Sequence, residues 1–267
     1  MSIAFVSTMN KNLYDQYGKR FIQEFANFAS DDLKLFIIFE GDYPEEILNL
    51  KKNIFVIPFL SQKHQLFIKY FGKLYEANGL KLRQINENGK QKINISNDYH
   101  FNSVKFSFKP FSIHQVLNYI PEGLDYLIWT DADLRCKKEF GINSLTKFLP
   151  EHEYLMSYLG RKKPWYSECG FIAFNLNHKD FINYIERVIN IYTSGEIFSL
   201  EQWHDSWIWD HVRYEFEENN KTNFKNISGK GYELEHPFIN CGLEEFFDHL
   251  KGPQRKKEGQ SFKDDYK

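Results

Sequence analysis

The sequence has little sulfur, with three cysteines and three methionines among 267 residues. Cys136, Cys169 and Cys241 are odd in number and widely spaced. That indicates neither a disulfide framework nor a zinc site, and it fits a reducing cytoplasm. Long apolar runs are missing too. None approaches the roughly 18 residues that a membrane-spanning helix requires. The opening residues Met1-Ser-Ile-Ala-Phe-Val-Ser7 lack the basic flank and apolar core of a secretory signal. Neither G-x-G-x-x-G nor a P-loop occurs, which argues against dehydrogenases and P-loop kinases. Charge of one sign is absent as well: the net charge of -2 offers no global attraction for nucleic acid or an anionic membrane.

Aromatic residues are abundant, with 26 Phe, 16 Tyr and 5 Trp. Most belong in a core, and those left at the surface can stack on sugars or bases. A chain of this length builds one large domain or two fused halves around one cleft.

Apolar patterning predicts strands at Ile3 to Val6, Leu33 to Phe39 and Ile54 to Phe59, with a polar loop from Ser7 to Asn10. A helix is expected between the first two, from Tyr14 to Phe28. Strand, helix, strand at this spacing predicts a parallel, helix-covered sheet. Gln65 to Tyr75 look helical, residues 78–100 read as a polar insertion or mobile loop, and a helix follows from Phe101 towards Ile120. Further strands are expected at Glu153 to Tyr158 and Phe171 to Asn175, separated by a loop over Pro164 to Gly170. Phe181 to Tyr192 read as an amphipathic helix, and Asp205 is placed to cap the next one.

The organising stretch is Asp125-Tyr-Leu-Ile-Trp-Thr-Asp-Ala-Asp-Leu-Arg135. Tyr126 to Trp129 suit a strand buried on both faces. Asp131 and Asp133, two apart, leave its C-terminal end on one side, where open α/β sheets bind ligands. Carboxylates about 6–7 Å apart repel by roughly 2–3 kcal/mol at an effective dielectric of ~20. A hard divalent ion such as Mg2+ or Mn2+ reverses that. Alone the pair is weak evidence, since a chain with 14 aspartates holds about 0.7 such pairs by chance. Lys105 and Lys109, four apart, share a helix face just before this strand and can reach a phosphate or simply be solvated. Trp165, Tyr166 and Trp203 offer a stacking wall for a sugar, or rim packing.

Asp131-Ala-Asp133 resembles the Asp-x-Asp of metal-dependent GT-A-fold glycosyltransferases, most nearly the family-8-like retaining enzymes. Glu168-Cys-Gly-Phe-Ile-Ala-Phe-Asn175 is similar to that family's strand beside the donor sugar, with Glu168 where an amide is usual. Trp203-His204-Asp205-Ser resembles its Gln-Asp segment near the reaction centre. His249-Leu-Lys-Gly252-Pro-Gln-Arg255-Lys256 resembles the C-terminal His-x-x-Gly-x-x-Lys, with Arg255 at the sixth position and Lys256 beside it. The overall look also resembles short phage and bacterial glycosyltransferases.

The resemblance implies a GT-A fold, a central mixed, mostly parallel sheet flanked by helices. It implies one domain over 1–267: a nucleotide-binding half (1–135), an acceptor half (136–248) and a basic tail (249–267) closing the donor site. Asp131, Asp133 and His249 would hold Mn2+ or Mg2+. Asp131, Gly252, Arg255, Lys256 and Lys105 or Lys109 would bind the nucleotide-sugar, in all expectation a UDP-sugar. Glu168 and Asp205, with His204 as alternate, would orient donor and acceptor. The acceptor is a hydroxyl on a glycan, a lipid-linked glycan or a modified DNA base, and the C-terminal motif favours retention. Two other readings stay open. One is a nucleic-acid-binding or DNA-base-glycosylating protein using the tail, which carries six Lys/Arg against three Asp/Glu. The other is a sugar-nucleotide binder without turnover.

Overall fold

Strict alternation along the first strand sets the layering. Ile3 and Phe5 enter one apolar cluster, while Ala4 and Val6 enter another on the opposite face. Leu35, Ile37 and Phe39 repeat the first pattern, and Phe36 and Ile38 the second. A strand apolar on both sides must be covered on both sides. The computed structural model describes residues 1–49, 51–87 and 90–266. Its strands are β1 (Ile3–Asn10), β2 (Lys34–Glu40), β3 (Ile54–Pro58), β4 (Leu80–Glu87), β5 (Lys90–Asn97), β6 (Tyr126–Thr130), β7 (Leu134–Cys136), β8 (Tyr154–Leu159), β9 (Glu168–Asn175), β10 (Asn223–Asn226) and β11 (Phe247–His249). The longer helices are α1 (Lys19–Phe28), α2 (Gln62–Phe71), α3 (Ser103–Val116), α4 (Phe181–Thr193), α5 (Asp205–Asn219) and α6 (Gly252–Glu258).

Seven strands form the central sheet in the order β10-β8-β9-β6-β1-β2-β3. Neighbours run parallel except at β9, which is antiparallel to both β6 and β8. This is the expected mixed, mostly parallel sheet flanked by helices. Phe21, Ile22 and Phe25 of α1 cover one face together with Phe238, Leu243 and Phe247 from the C-terminal segment. Phe67 of α2, Phe111 of α3, Tyr184 of α4 and Ile208 of α5 cover the other. The crossovers place β6 in the middle of the sheet, so its C-terminal end opens between the two helical layers.

Several boundaries differ from the sequence reading, each for a local reason. β1 runs four residues past Val6, because Asn10 both ends the strand and caps the next turn, its Oδ1 accepting from the Leu13 amide at 3.0 Å. Residues 78–100 are not a loop: β4 and β5 pair antiparallel from Leu80↔Asn97 to Glu87↔Lys90. Glu168, Cys169 and Gly170 belong to β9 rather than to the preceding loop, since β9 is buried along its whole length. Asn102 caps α3, its Oδ1 accepting from the Lys105 amide at 2.9 Å, and Pro110 lies inside that helix. Asp205 is not the cap of α5. His204 is, its Nδ1 accepting from the Trp207 amide at 3.4 Å. Trp203 is buried against Phe101 and Phe198, so it takes no part in an exposed wall.

Phe25 packs edge-on against Phe5 and Phe140, at centroid distances of 5.3 and 5.7 Å, and so ties α1 to β1. Phe25→Ala is expected to cost about 3–5 kcal/mol in chemical denaturation, the range for a large ring deleted from a packed core. A cost under about 1 kcal/mol contradicts this packing.

Candidate metal centre

β6 delivers Asp131 at its C-terminal end, and a tight turn closed by Leu134 N–H to Asp131 C=O at 3.2 Å brings Asp133 alongside. The chain then enters β7, which pairs antiparallel with β11 in the register Leu134↔His249. This short ladder sets the imidazole next to the residue before Leu134. His249 Nε2 lies 3.3 Å from Asp133 Oδ1 and 3.6 Å from Asp131 Oδ2. Three residues, two of them 116 or more positions from the third, thus converge as one candidate metal-holding group.

The opposite nitrogen is fixed equally firmly. A carboxylate can only accept, so the 2.7 Å contact of His249 Nδ1 with Glu168 Oε1 makes Nδ1 the donor and turns Nε2 towards the aspartates. Glu168 Oε2 in turn lies 3.1 Å from Lys251 Nζ and accepts from the Phe238 amide at 3.3 Å. His236 donates from Nε2 to the His249 carbonyl at 3.0 Å. Gly170 explains how the ring fits, because a Cβ there would stand 2.5 Å from His249 Cε1 and 2.7 Å from Nδ1.

Lysines complete the charge pattern. Lys109 Nζ bridges Asp131 Oδ1 at 2.9 Å and Asp205 Oδ2 at 2.5 Å, and Lys256 Nζ meets Asp133 Oδ2 at 2.7 Å. Trp129 Nε1–H donates to Asp131 Oδ1 at 2.9 Å. Burial pushes the Asp131 carboxyl up, but the Lys109 ammonium and then His249 outweigh it and hold it well below the usual range. Asp133 is lowered in the same way, with His249 opposing its burial. Burial works against a charged His249, yet Asp133, Asp131 and Glu168 raise its pKa well above that of a free imidazole. Glu168 is held well below the carboxylate range, burial being overcome by Lys251, His236 and His249.

The set fits a hard divalent cation. Asp133 Oδ1 is buried, accepts no hydrogen bond and faces the same point as His249 Nε2. A buried carboxylate oxygen without a donor is costly unless something else satisfies it. The two carboxylates suit Mn2+ or Mg2+, and a neutral imidazole beside them is acceptable to Mn2+.

The aspartates open onto a cleft of about 560 Å³, which also contains Asp205, Lys105 and Lys256 and is the size of a small-molecule site. It is also lined by Thr8 and Asn10 of β1, Glu40 at the end of β2, and Tyr17 from the helical turn Tyr14–Gly18 that follows β1. The sequence reading missed these four. Thr8, Asn10 and Glu40 were recognisable only through the rule that ligands sit at the carboxyl ends of parallel strands, applied to a β1 longer than its apolar run, and Tyr17 follows on the next turn. Glu40 is pushed up to about 7 by burial, against hydrogen bonds from Thr8 and Asn10. Gly252 lines the adjoining groove of about 470 Å³ with Lys256, at a left-handed φ of 78° that favours glycine.

Other proposed residues fall elsewhere. Arg255 does not reach the cleft: its Nε donates to Asp265 Oδ2 at 2.6 Å, and its second nitrogen pairs with the other oxygen. His204 accepts from the Trp207 amide at 3.4 Å and contacts Gln202 Oε1 at 2.7 Å through Nε2, so both ring nitrogens are engaged. Glu168 reaches the centre through His249 rather than through the cleft. In the basic tail Lys251, Arg255 and Lys256 are tied to Glu168, Asp265 and Asp133, which leaves less free charge than the composition suggested.

No protein-family model matches the chain, and no curated protein matches it. Solved structures similar to it include two glycosyltransferases. Mouse xyloside xylosyltransferase 1, in its apo form, has 11% identity and a TM-score of 0.49 over 85% of each chain. The apo-form glycosyltransferase GlyE of Streptococcus pneumoniae TIGR4 has 12% identity and a TM-score of 0.47, over 86% of this chain and 46% of that one. The present chain therefore spans about half the length of GlyE.

Gly170→Ala is expected to push His249 off its seat and weaken Mn2+ binding by roughly tenfold or more in titration calorimetry, a loss typical of disturbed metal-ligand orientation. Unchanged affinity in a folded variant contradicts the placement of the ring.

Proposed function

We propose that this protein is a metal-dependent glycosyltransferase of the GT-A type, moving a sugar from a nucleotide-sugar to a hydroxyl acceptor. The observation that carries the reading is the meeting of His249 Nε2 with Asp131 and Asp133, where Asp133 Oδ1 lies buried without a donor. Charge balance supports a diphosphate partner. Asp131, Asp133, Asp205 and Glu168 are offset by Lys109, Lys251, Lys256 and a protonated His249. A divalent cation taken up in place of the proton on His249 Nε2 adds one net positive charge to a set that otherwise cancels, and a nucleoside diphosphate meets that excess.

Asp131, Asp133 and His249 are the residues that would hold Mn2+ or Mg2+. When bound, the ion acts as a Lewis acid on the leaving diphosphate. Lys256 stands at the cleft rim, where exchanging Asp133 for a phosphate oxygen needs only a side-chain rotation, and Lys105 lines the same wall. Lys109 is buried between Asp131 and Asp205 and keeps both carboxylates in place. Asp205, at the first turn of α5 and inside the cleft, is the carboxylate that would face the anomeric carbon or the acceptor hydroxyl. Glu168 orients His249. Thr8, Asn10 and Tyr17 border the space left for the nucleoside. A UDP-sugar donor and retention of configuration follow the family resemblance, a cytoplasmic setting follows the sparse cysteines, and these belong to the same proposal, as does the single-domain arrangement.

The protein is expected to hydrolyse a UDP-sugar slowly in the presence of Mn2+ and to stop when EDTA is added. Lys256→Ala is expected to raise KM for the donor by about tenfold, the loss of one charge-assisted phosphate contact worth roughly 1.4 kcal/mol. Hydrolysis that is indifferent to EDTA, or a Lys256→Ala enzyme with unchanged KM, contradicts the assignment.

A further inference from the structure

A second cleft, of about 720 Å³, opens on the other side of the α5 N-terminus and plays no part in the centre described above. Six aromatic rings line it: Tyr158, Trp165, Tyr166, Trp207, Tyr214 and Tyr232. Trp165 is 54% exposed and Tyr214 49%, although large rings are ordinarily drawn into a core. The charges among them cancel, with Arg161, Lys163 and Arg213 against Glu201, Asp210 and Glu217.

Several of these charges are locked in place. Asp210 accepts from the Ser167 amide at 2.8 Å and from Ser167 Oγ at 2.6 Å, and Arg213 reaches it at 3.1 Å. The Arg213 guanidinium is sandwiched between the Tyr158 and Tyr214 rings, 4.4 and 4.2 Å from their centroids. Arg213 is 5% exposed, and its buried Nε has no hydrogen-bond partner. Exposed ring faces beside fixed polar groups, without net charge, suit a ligand with alternating C–H faces and hydroxyls. A phosphate or nucleic-acid strand would need surplus positive charge, which this cleft lacks.

The two clefts are joined by a short relay of side chains. Gln202 Nε2 donates to Tyr166 Oη at 3.3 Å, and Gln202 Oε1 is 2.7 Å from His204 Nε2. The His204 ring lies 6.2 Å from Phe106, which faces the metal-side cleft. α5 carries Asp205 into one cleft and Asp210 into the other.

We propose that the aromatic cleft binds an uncharged oligosaccharide, with Trp165 and Tyr214 as its stacking platforms, and that this oligosaccharide is the acceptor. The binding stands on the cleft alone, whereas the acceptor role rests on the sugar-transfer reading. The relay then places Tyr166, Gln202 and His204 along the path between the bound glycan and Asp205.

The test is tryptophan-fluorescence titration with maltotetraose, cellotetraose, tetra-N-acetylchitotetraose and lacto-N-tetraose, without nucleotide or metal. A sulfated heparin tetrasaccharide serves as the charged comparison. At least one neutral tetrasaccharide is expected to bind saturably with a Kd of about 0.1–10 mM. Trp165→Ala is expected to weaken it about tenfold, and Trp165→Phe to restore most of the loss. Because Trp165 is exposed, both variants should keep the far-UV spectrum and unfolding midpoint of the parent. No neutral binding up to about 10 mM overturns the proposal. So does preference for the sulfated probe, or an unaltered Kd in Trp165→Ala. Donor hydrolysis by the unsubstituted protein is measured separately. Glycan binding without hydrolysis keeps the cleft and removes the transfer reading, and hydrolysis without glycan binding does the reverse.

Discussion

The C-terminal end of β6 depends on a buried histidine held between acids. His249 takes Glu168 on one nitrogen and faces Asp131 and Asp133 with the other. Bringing these charges out of water costs several kcal/mol per ion, and it is offset only because nearly every one has an opposite charge within reach. Removing one member of such a network typically costs about 3–5 kcal/mol, since its partner is left buried and unpaired. The arrangement is therefore a poor choice for stability alone, as apolar residues of similar volume would serve the core as well.

The rest of the fold can be understood as holding that histidine. β6 fixes the aspartates from the middle of the sheet, and β9 supplies Glu168 together with the bare backbone of Gly170. β7 and β11 make a ladder whose register decides which residue faces Asp133. Arg135, one position on, pairs with Glu24 of α1 at 2.6 Å, and Asp248 accepts from both the Ser261 amide and hydroxyl. The Lys137 amide donates to the Phe246 carbonyl at 2.7 Å, and Arg135 donates to the Gly259 carbonyl. These bonds tie the C-terminal segment to β7 and the residue after it on both sides of His249, and α6 brings Lys256 back over the cleft.

How much of this was legible varies with how local the signal is. The Tyr126 to Trp129 run and the Asp pair that ends it read directly, because burial on both faces and an abrupt polar stop are adjacent in sequence. His249 was reached only through the pattern of its neighbours, since nothing in a single histidine declares a partner 116 residues away. The choice between Arg255 and Lys256 was not legible. Successive residues on a helix point about 100° apart, and Asp265, which draws Arg255 away, becomes a neighbour only once the chain folds back. Glu168 was noticed as a departure from a resemblance, but its task depends on the register of β11 opposite β7.

Other misses have similar causes. Lysine and asparagine in residues 78–100 hid the alternating apolar positions of β4 and β5. The Asn88-Gly89 dipeptide, a strong hairpin signal in sequence, lies outside the described residues. Trp203 looked like a companion to Trp165, yet only packing decides which of two tryptophans is covered. The most direct measurement is electron spin-echo spectroscopy of the Mn2+-loaded protein. The account predicts a nitrogen coupling from one directly bound imidazole, lost in His249→Gln. A bound ion with no nitrogen coupling, or one whose coupling survives that substitution, would contradict it.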